Sequence, residues 1–225
     1  MYQFITGPLL WLSFSIFFIG CFVHVALYIR GLDFQLDRIA YNTNIVSGVK
    51  AALRSIGLWL VPFGTRCWRQ NPVYTLIFYL FHVGAVVTPL FLSAHSVILK
   101  YRWGIYMPAM PDVVADVLTA GVLVAACGLL LRRMLVPEVR NLTTPRDIGV
   151  LFLSVAPFAT AFMAYHQIGD VTFWTIAHIL SGELFLVAVP FTKLSHIVLF
   201  FCSRIQIGMD FGIKRGGVKS SGFPW

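Results

Sequence analysis

The residues with chemistry to offer are six histidines: His24, His82, His95, His166, His178 and His196. His178 and His196 fall in one long apolar stretch, eighteen residues apart. On an α-helix that spacing is about five whole turns and about 27 Å of rise, so both imidazoles would leave on one side. The apolar core of a bilayer is about 30 Å thick, so such a helix would carry one ligand near each membrane face. A second apolar stretch carries His82 and His95. A lone intramembrane histidine is as readily a helix–helix hydrogen bond as a ligand. Four on two helices point to two bis-histidine redox sites.

The elements that must position them are membrane spans. Of the 225 residues, 58% are hydrophobic and 12% charged, roughly half the charged fraction of a soluble domain. This predicts an all-α integral membrane protein, a bundle of five transmembrane helices in a single domain over 1–225. The expected helices cover about 4–29, 73–99, 112–131, 148–165 and 174–203, with an interfacial loop over 30–72 and a basic tail over 204–225. Within that loop, residues 46–63 are apolar but short and carry Lys50 and Arg54, which reads as an amphipathic helix at the interface. The tail reads as extended.

Lys and Arg outnumber Asp and Glu by 17 to 9. They concentrate in the first and third loops and the tail, which predicts an outside (periplasmic) N-terminus and a cytoplasmic C-terminus in a bacterial inner membrane. The excess suits lipid headgroups and cytoplasmic loops, and no basic stripe interleaved with exposed aromatics argues for nucleic acid. The four cysteines, Cys21, Cys67, Cys127 and Cys202, form neither C-x-x-C nor C-x-x-C-H. That removes a covalently attached haem and an iron–sulfur cluster built by this chain alone. No H-E-x-x-H occurs, which argues against a zinc peptidase.

This orientation puts His82 at the level of His196 and His95 at the level of His178. Two antiparallel helices would then supply two bis-histidine pairs, the ligation expected of b-type haem. His82 and His95 are thirteen residues apart, which rotates them by about 220° on an ideal helix. Pro89 lies between them and is positioned to kink the helix. Gly182, one turn after His178, would let a flat macrocycle lie on the backbone, although a helix crossing uses glycine equally well.

His24 is a further possible ligand, with packing the commoner role. Glu183 is an acid inside a span, and such groups are costly and usually paired or on a proton path. His166 would lie beyond the outer site, where proton exchange at a quinone pocket is one role and a surface histidine the commoner one; Asp112 and Asp116 could line such a pocket, although helix N-termini favour acids anyway. Lys193 and Arg204 are cations on the cytoplasmic side, suited to haem propionates or lipid phosphates.

The run FHVG at Phe81–Gly84, and the stretch from His178 to His196 with Gly182, Pro190, Phe191, Thr192, Lys193 and Leu194, give a specific resemblance. They resemble the membrane cytochrome b, or gamma, subunit of respiratory nitrate reductase. They are also similar to the cytochrome b subunits of sulfite-reductase-linked complexes and of the high-molecular-weight cytochrome c complex of sulfate reducers. The long first loop fits those sulfate-reducer relatives better. The resemblance implies His82 with His196 at a cytoplasmic haem b, His178 with a second-helix partner at an outer one, and Gly84 and Gly182 against the macrocycles. In the nitrate reductase pattern that partner falls at the position of Leu92, and the nearest histidine here is His95. It further implies a dihaem electron-transfer subunit with no catalytic centre of its own. Its partners would be other membrane and iron–sulfur subunits, with menaquinone or a periplasmic multihaem cytochrome c exchanging electrons. The competing reading is a haem-poor membrane anchor or scaffold whose histidines serve packing.

Overall fold

A computed structural model describes residues 2–32 and 44–214, and among these every regular element is helical. Five helices are long and apolar enough to cross a membrane: α1 (Tyr2–Arg30), α4 (Pro72–Phe91), α6 (Asp112–Leu135), α8 (Pro145–Tyr165) and α9 (Val171–Ala188). The others are α2 (Ile45–Leu60), α3 (Arg66–Gln70), α5 (Ser93–Trp103), α7 (Pro137–Leu142) and α10 (His196–Lys214). α1 opens with a π-helical turn at Ile5–Leu9 that contains Pro8. A proline has no N–H to give the regular ladder, and a wider turn accommodates its ring. α8 starts at a reciprocal cap: the Thr144 side chain accepts from the Asp147 N–H, and the Asp147 carboxylate accepts from the Thr144 N–H. This extends the helix three residues before the expected start.

Two of the expected helices are broken. The stretch 73–99 is interrupted at Leu92, whose backbone is extended between α4 and α5. Pro89 cannot donate to the preceding turn and crowds it, so the helix ends just beyond. The stretch 174–203 is interrupted as well. α9 ends at Ala188, a turn contains Pro190, a short 3-10 turn covers Lys193–Ser195, and α10 begins at His196. Thr192 is extended and its side chain accepts from the Leu194 N–H, which caps the new start. His178 and His196 therefore do not share one continuous helix, and the five-turn register between them does not apply.

The chain groups into two compact units. The first comprises residues 1–13 and 76–186, the second 14–75 and 187–225. The core of the first is Phe81 on α4 with Val122, Ala125 and Ala126 on α6, joined by Leu151, Val155 and Phe158 of α8. Glycines let these helices approach closely: a Cβ on Gly84 would overlap the Val122 side chain, and one on Gly121 would press on Leu80. Small residues at crossings are how membrane helices pack, because lipid tails are as apolar as leucine.

In the second unit α2 pairs with α10. α2 buries Gly48, Ala51, Ala52 and Ser55, which fall on one face. Gly208 and Gly212 of α10 bring its backbone against that face, at Ala52 and at Gly48. The opposite side of α2 exposes Ile45, Val49 and Leu53 along with Lys50 and Arg54. The loop expected over 30–72 thus holds a helix over Ile45–Leu60, while residues 33–43 of that loop lie outside the described residues. The tail expected to be extended is helical as far as Lys214, because the Gly208/Gly212 ridge gives it a packing partner, and 215–225 lie outside the described residues.

This pairing predicts an asymmetry between two glycines. Gly208→Ala should destabilise the protein by about 1–3 kcal/mol through overpacking against the Ala52 backbone. Gly57→Ala, where a Cβ meets nothing within 4 Å, should be neutral or stabilising by up to about 1 kcal/mol. Thermal unfolding of the detergent-solubilised protein measures both.

Candidate functional site

The break at Leu92 leaves carbonyls of the last α4 turn without helical donors. The Met110 N–H donates to Phe91 O at 2.8 Å, and His95 Nδ1 donates to Pro89 O at 2.8 Å. A carbonyl only accepts, so Nδ1 carries a proton, and in the neutral ring it is Nε2 that has the lone pair. On α9, His178 is held the same way by a different helix: its Nδ1 donates to Pro157 O of α8 at 2.8 Å. Pro157 interrupts the α8 ladder, and Thr160 Oγ1 donates to the same carbonyl at 3.1 Å.

These contacts bring His95 and His178 together inside the first unit. Their ring centroids are 6.0 Å apart and their planes meet at 11°. Both side chains are partly buried, and no protein hydrogen bond occupies either Nε2 among the described residues. The arrangement is two near-parallel imidazoles, each held at Nδ1 by a backbone carbonyl. That is how proteins orient a metal-ligating histidine.

The other two nominated histidines show the same Nδ1 pattern. His82 Nδ1 donates to Phe78 O at 2.8 Å, with the Phe78 ring centroid 3.9 Å away. His196 Nδ1 donates to Lys193 O at 2.8 Å, from an exposed position at the start of α10. His82 belongs to the first unit and His196 to the second. The remaining two histidines use Nε2. His24 donates to Pro190 O at 2.6 Å, beside Gly20, where a Cβ would overlap the Pro190 ring. This gives His24 a structural task in the second unit, holding α1 against the turn that follows α9. His166 Nε2 lies 2.9 Å from Asp116 Oδ1, a partly exposed pair at the end of α8.

The two glycines differ. Gly84 is buried against Val122, so the structure gives it a helix-crossing role. Gly182 has no atom within 4 Å of where a Cβ would stand, so the backbone one turn from His178 borders open space. Asp112 accepts from Ser93 Oγ at 2.8 Å, which together with the His166 pair gives both α6 acids protein partners. The Arg204 guanidinium stacks over Trp59 at 5.0 Å. Among the described residues no group of three or more His, Cys, Asp or Glu side chains gathers as a metal site.

Two features escaped the sequence reading. One is the role of the Pro89 and Pro157 carbonyls, since the prolines themselves signalled only kinks. The other is the isolation of Glu183, which is 4% exposed with neither carboxyl oxygen hydrogen-bonded. A buried polar group without a partner costs about 1–3 kcal/mol. Glu183→Met, similar in volume and apolar, is therefore expected to raise stability by about that amount. A lowered melting temperature in the purified chain would show instead that the carboxyl is engaged.

No known family profile matches the chain, and no solved structure matches it. A protein of Nitratidesulfovibrio vulgaris (strain Hildenborough), whose name states no activity, is 53% identical to it over 226 residues, spanning 100% of both chains. The chain belongs to one family with that bacterial protein.

Proposed function

We propose that this family member is a b-type cytochrome subunit of a multisubunit redox complex, with one haem b held axially between His95 and His178. The observation that carries the reading is the near-parallel ring pair at 6.0 Å with both Nδ1 atoms engaged by carbonyls. With both Nε2 atoms turned to one iron, two metal–nitrogen bonds of about 2 Å each and about 1 Å from each nitrogen to its ring centre would add to roughly 6 Å. Two nitrogens are too few for a bare ion, yet they complete the axial positions of an iron already held by a macrocycle. The open space beside Gly182 suits a flat ring near His178.

Haem iron with both axial positions filled supplies one-electron transfer and no open position for a substrate. The chain's own contribution is to hold and tune. Pro89 O and Pro157 O keep each Nδ1 protonated and raise the basicity of the opposite nitrogen. Their partial burial keeps water from competing for Nε2.

A second haem b, between His82 and His196, rests on the sequence pattern and on the same Nδ1–carbonyl arrangement at each residue. The distribution of loop cations supports a periplasmic N-terminus and a cytoplasmic C-terminus in the bacterial inner membrane. Electrons would pass between menaquinone or a periplasmic multihaem cytochrome c and a cytoplasmic iron–sulfur subunit.

The test is a dithionite-reduced minus oxidised spectrum of the purified protein, with haem counted after pyridine extraction. The expected result is a b-type α-band and two haems per chain. His178→Ala and His95→Ala should each remove one haem, and the same one. A chain without haem would establish the scaffold reading in place of this one.

A further inference from the structure

α5 follows an extended residue, so the helix before it does not set its direction. Ser93 Oγ donates to Asp112 at 2.8 Å and the Met110 N–H donates to Phe91 O, which fixes where α5 starts. Its far end is tied to α1. Arg102 Nη2 donates to Thr6 O at 2.7 Å, and the Trp103 ring meets Trp11 edge to face with centroids 5.2 Å apart. All of these residues belong to the first unit.

The register of α5 makes that tie bear on the ligand. His95 and Arg102 are seven residues apart, which is two turns to within about 20° and about 10.5 Å of rise. His95, Leu99, Arg102 and Trp103 therefore share one side of the helix. Ala94, Val97, Ile98 and Tyr101 fall on the other side, and all four are exposed. A helix held only at its start can still roll and tilt. A second anchor two turns on, on the ligand's own face, removes that freedom and sets the direction in which the His95 imidazole leaves α5.

The acceptor for this anchor is supplied by an irregularity in α1. In a regular helix the Leu10 N–H would bond Thr6 O. Here it donates to Gly7 O, at the end of the π-helical turn Ile5–Leu9. Pro8 favours the wider turn, because it has no N–H for the regular ladder and its ring needs the room. The Thr6 carbonyl accepts instead from a guanidinium, and a charge-assisted bond is about twice as strong as a neutral one.

We propose that the π turn of α1 and Arg102 position His95: the turn presents Thr6 O, Arg102 locks onto it, and the lock sets the 11° angle between the His95 and His178 ring planes. In a low-spin haem with two imidazole ligands, that angle governs the splitting of the iron orbitals, and with it the g values of the oxidised centre. This inference rests on the haem reading above.

The test uses the purified full-length protein with Arg102→Gln, Arg102→Lys, Pro8→Ala and Lys100→Gln. Haem per chain, the electron paramagnetic resonance spectrum of the oxidised protein and the midpoint potential of each haem are measured. Lys100 is the control: its ammonium lies over the Tyr106 ring, 5.5 Å from the centroid, so its loss removes the same charge from α5 without cutting the tie. In Arg102→Gln and Pro8→Ala, the haem that disappears in His178→Ala is expected to shift its low-field g value and its potential, and to bind about tenfold more weakly. Arg102→Lys, which keeps the charge and a donor, restores the wild-type signal, and Lys100→Gln retains it. The other haem is unchanged throughout. Pro8→Ala carries the test by itself if Arg102→Gln fails to fold. Unmoved g values at full haem content in Pro8→Ala and Arg102→Gln, or an equal shift in Lys100→Gln, would overturn this inference and leave the haem reading intact. A wild-type protein without haem would overturn both.

Discussion

A carbonyl displaced from its helix by a proline has no water to turn to inside a bilayer, so a side chain must satisfy it. Much of this structure follows from that requirement. Histidines meet it at two breaks, His95 at Pro89 and His24 at Pro190, while His178 donates to the Pro157 carbonyl within the unbroken α8. Each bond also fixes which ring nitrogen keeps its lone pair. For His95 and His178 that nitrogen is Nε2. For His24 it is Nδ1, because Nε2 is spent on the helix break. One constraint therefore leaves a different ring nitrogen uncommitted in His95 and His178 than in His24.

The same prolines set the geometry of the pair. A continuous helix would separate His82 and His95 by a fixed rotation. The break at Leu92 frees α5 to take its own direction, and His95 comes to lie 6.0 Å from His178. Around this pair the first unit is built from small residues. Gly84, Gly121 and the alanines of α6 allow close approach, and the core holds little besides Phe81, Val122 and their neighbours. Large side chains such as Val113, Val117 and Phe152 instead remain exposed on the surface. Membrane-spanning helices distribute their residues in this way, because dispersion and close packing, with no hydrophobic force between helices, hold them together.

Much was legible in the chain alone, for reasons that are local. Five apolar stretches of span length follow from composition and spacing, and the five long helices fall where those stretches lie. The amphipathic character of Ile45–Leu60 is a periodicity, and it too is visible in one dimension. The four nominated histidines were chosen by type and depth, and all four carry the same Nδ1–carbonyl bond, which the other two histidines lack. A proline inside an apolar run signals that something happens to the helix there, and Pro89 was visible as such.

Tertiary structure decided what a proline does and who answers it. Whether a run kinks or breaks depends on whether the freed groups find partners, and those partners are distant: Met110 for Phe91, His178 for Pro157, His24 for Pro190. The division into two units, the helical state of the chain up to Lys214 and the crossing role of Gly84 likewise depend on surfaces brought together by folding. The pair His95–His178 belongs to this second class. Thirteen residues of ideal helix would turn His82 and His95 apart, and only the break after Phe91 lets α5 take the direction that sets His95 beside His178. Residue types and their depth are encoded locally, but the direction a helix takes after a break is set by what it packs against.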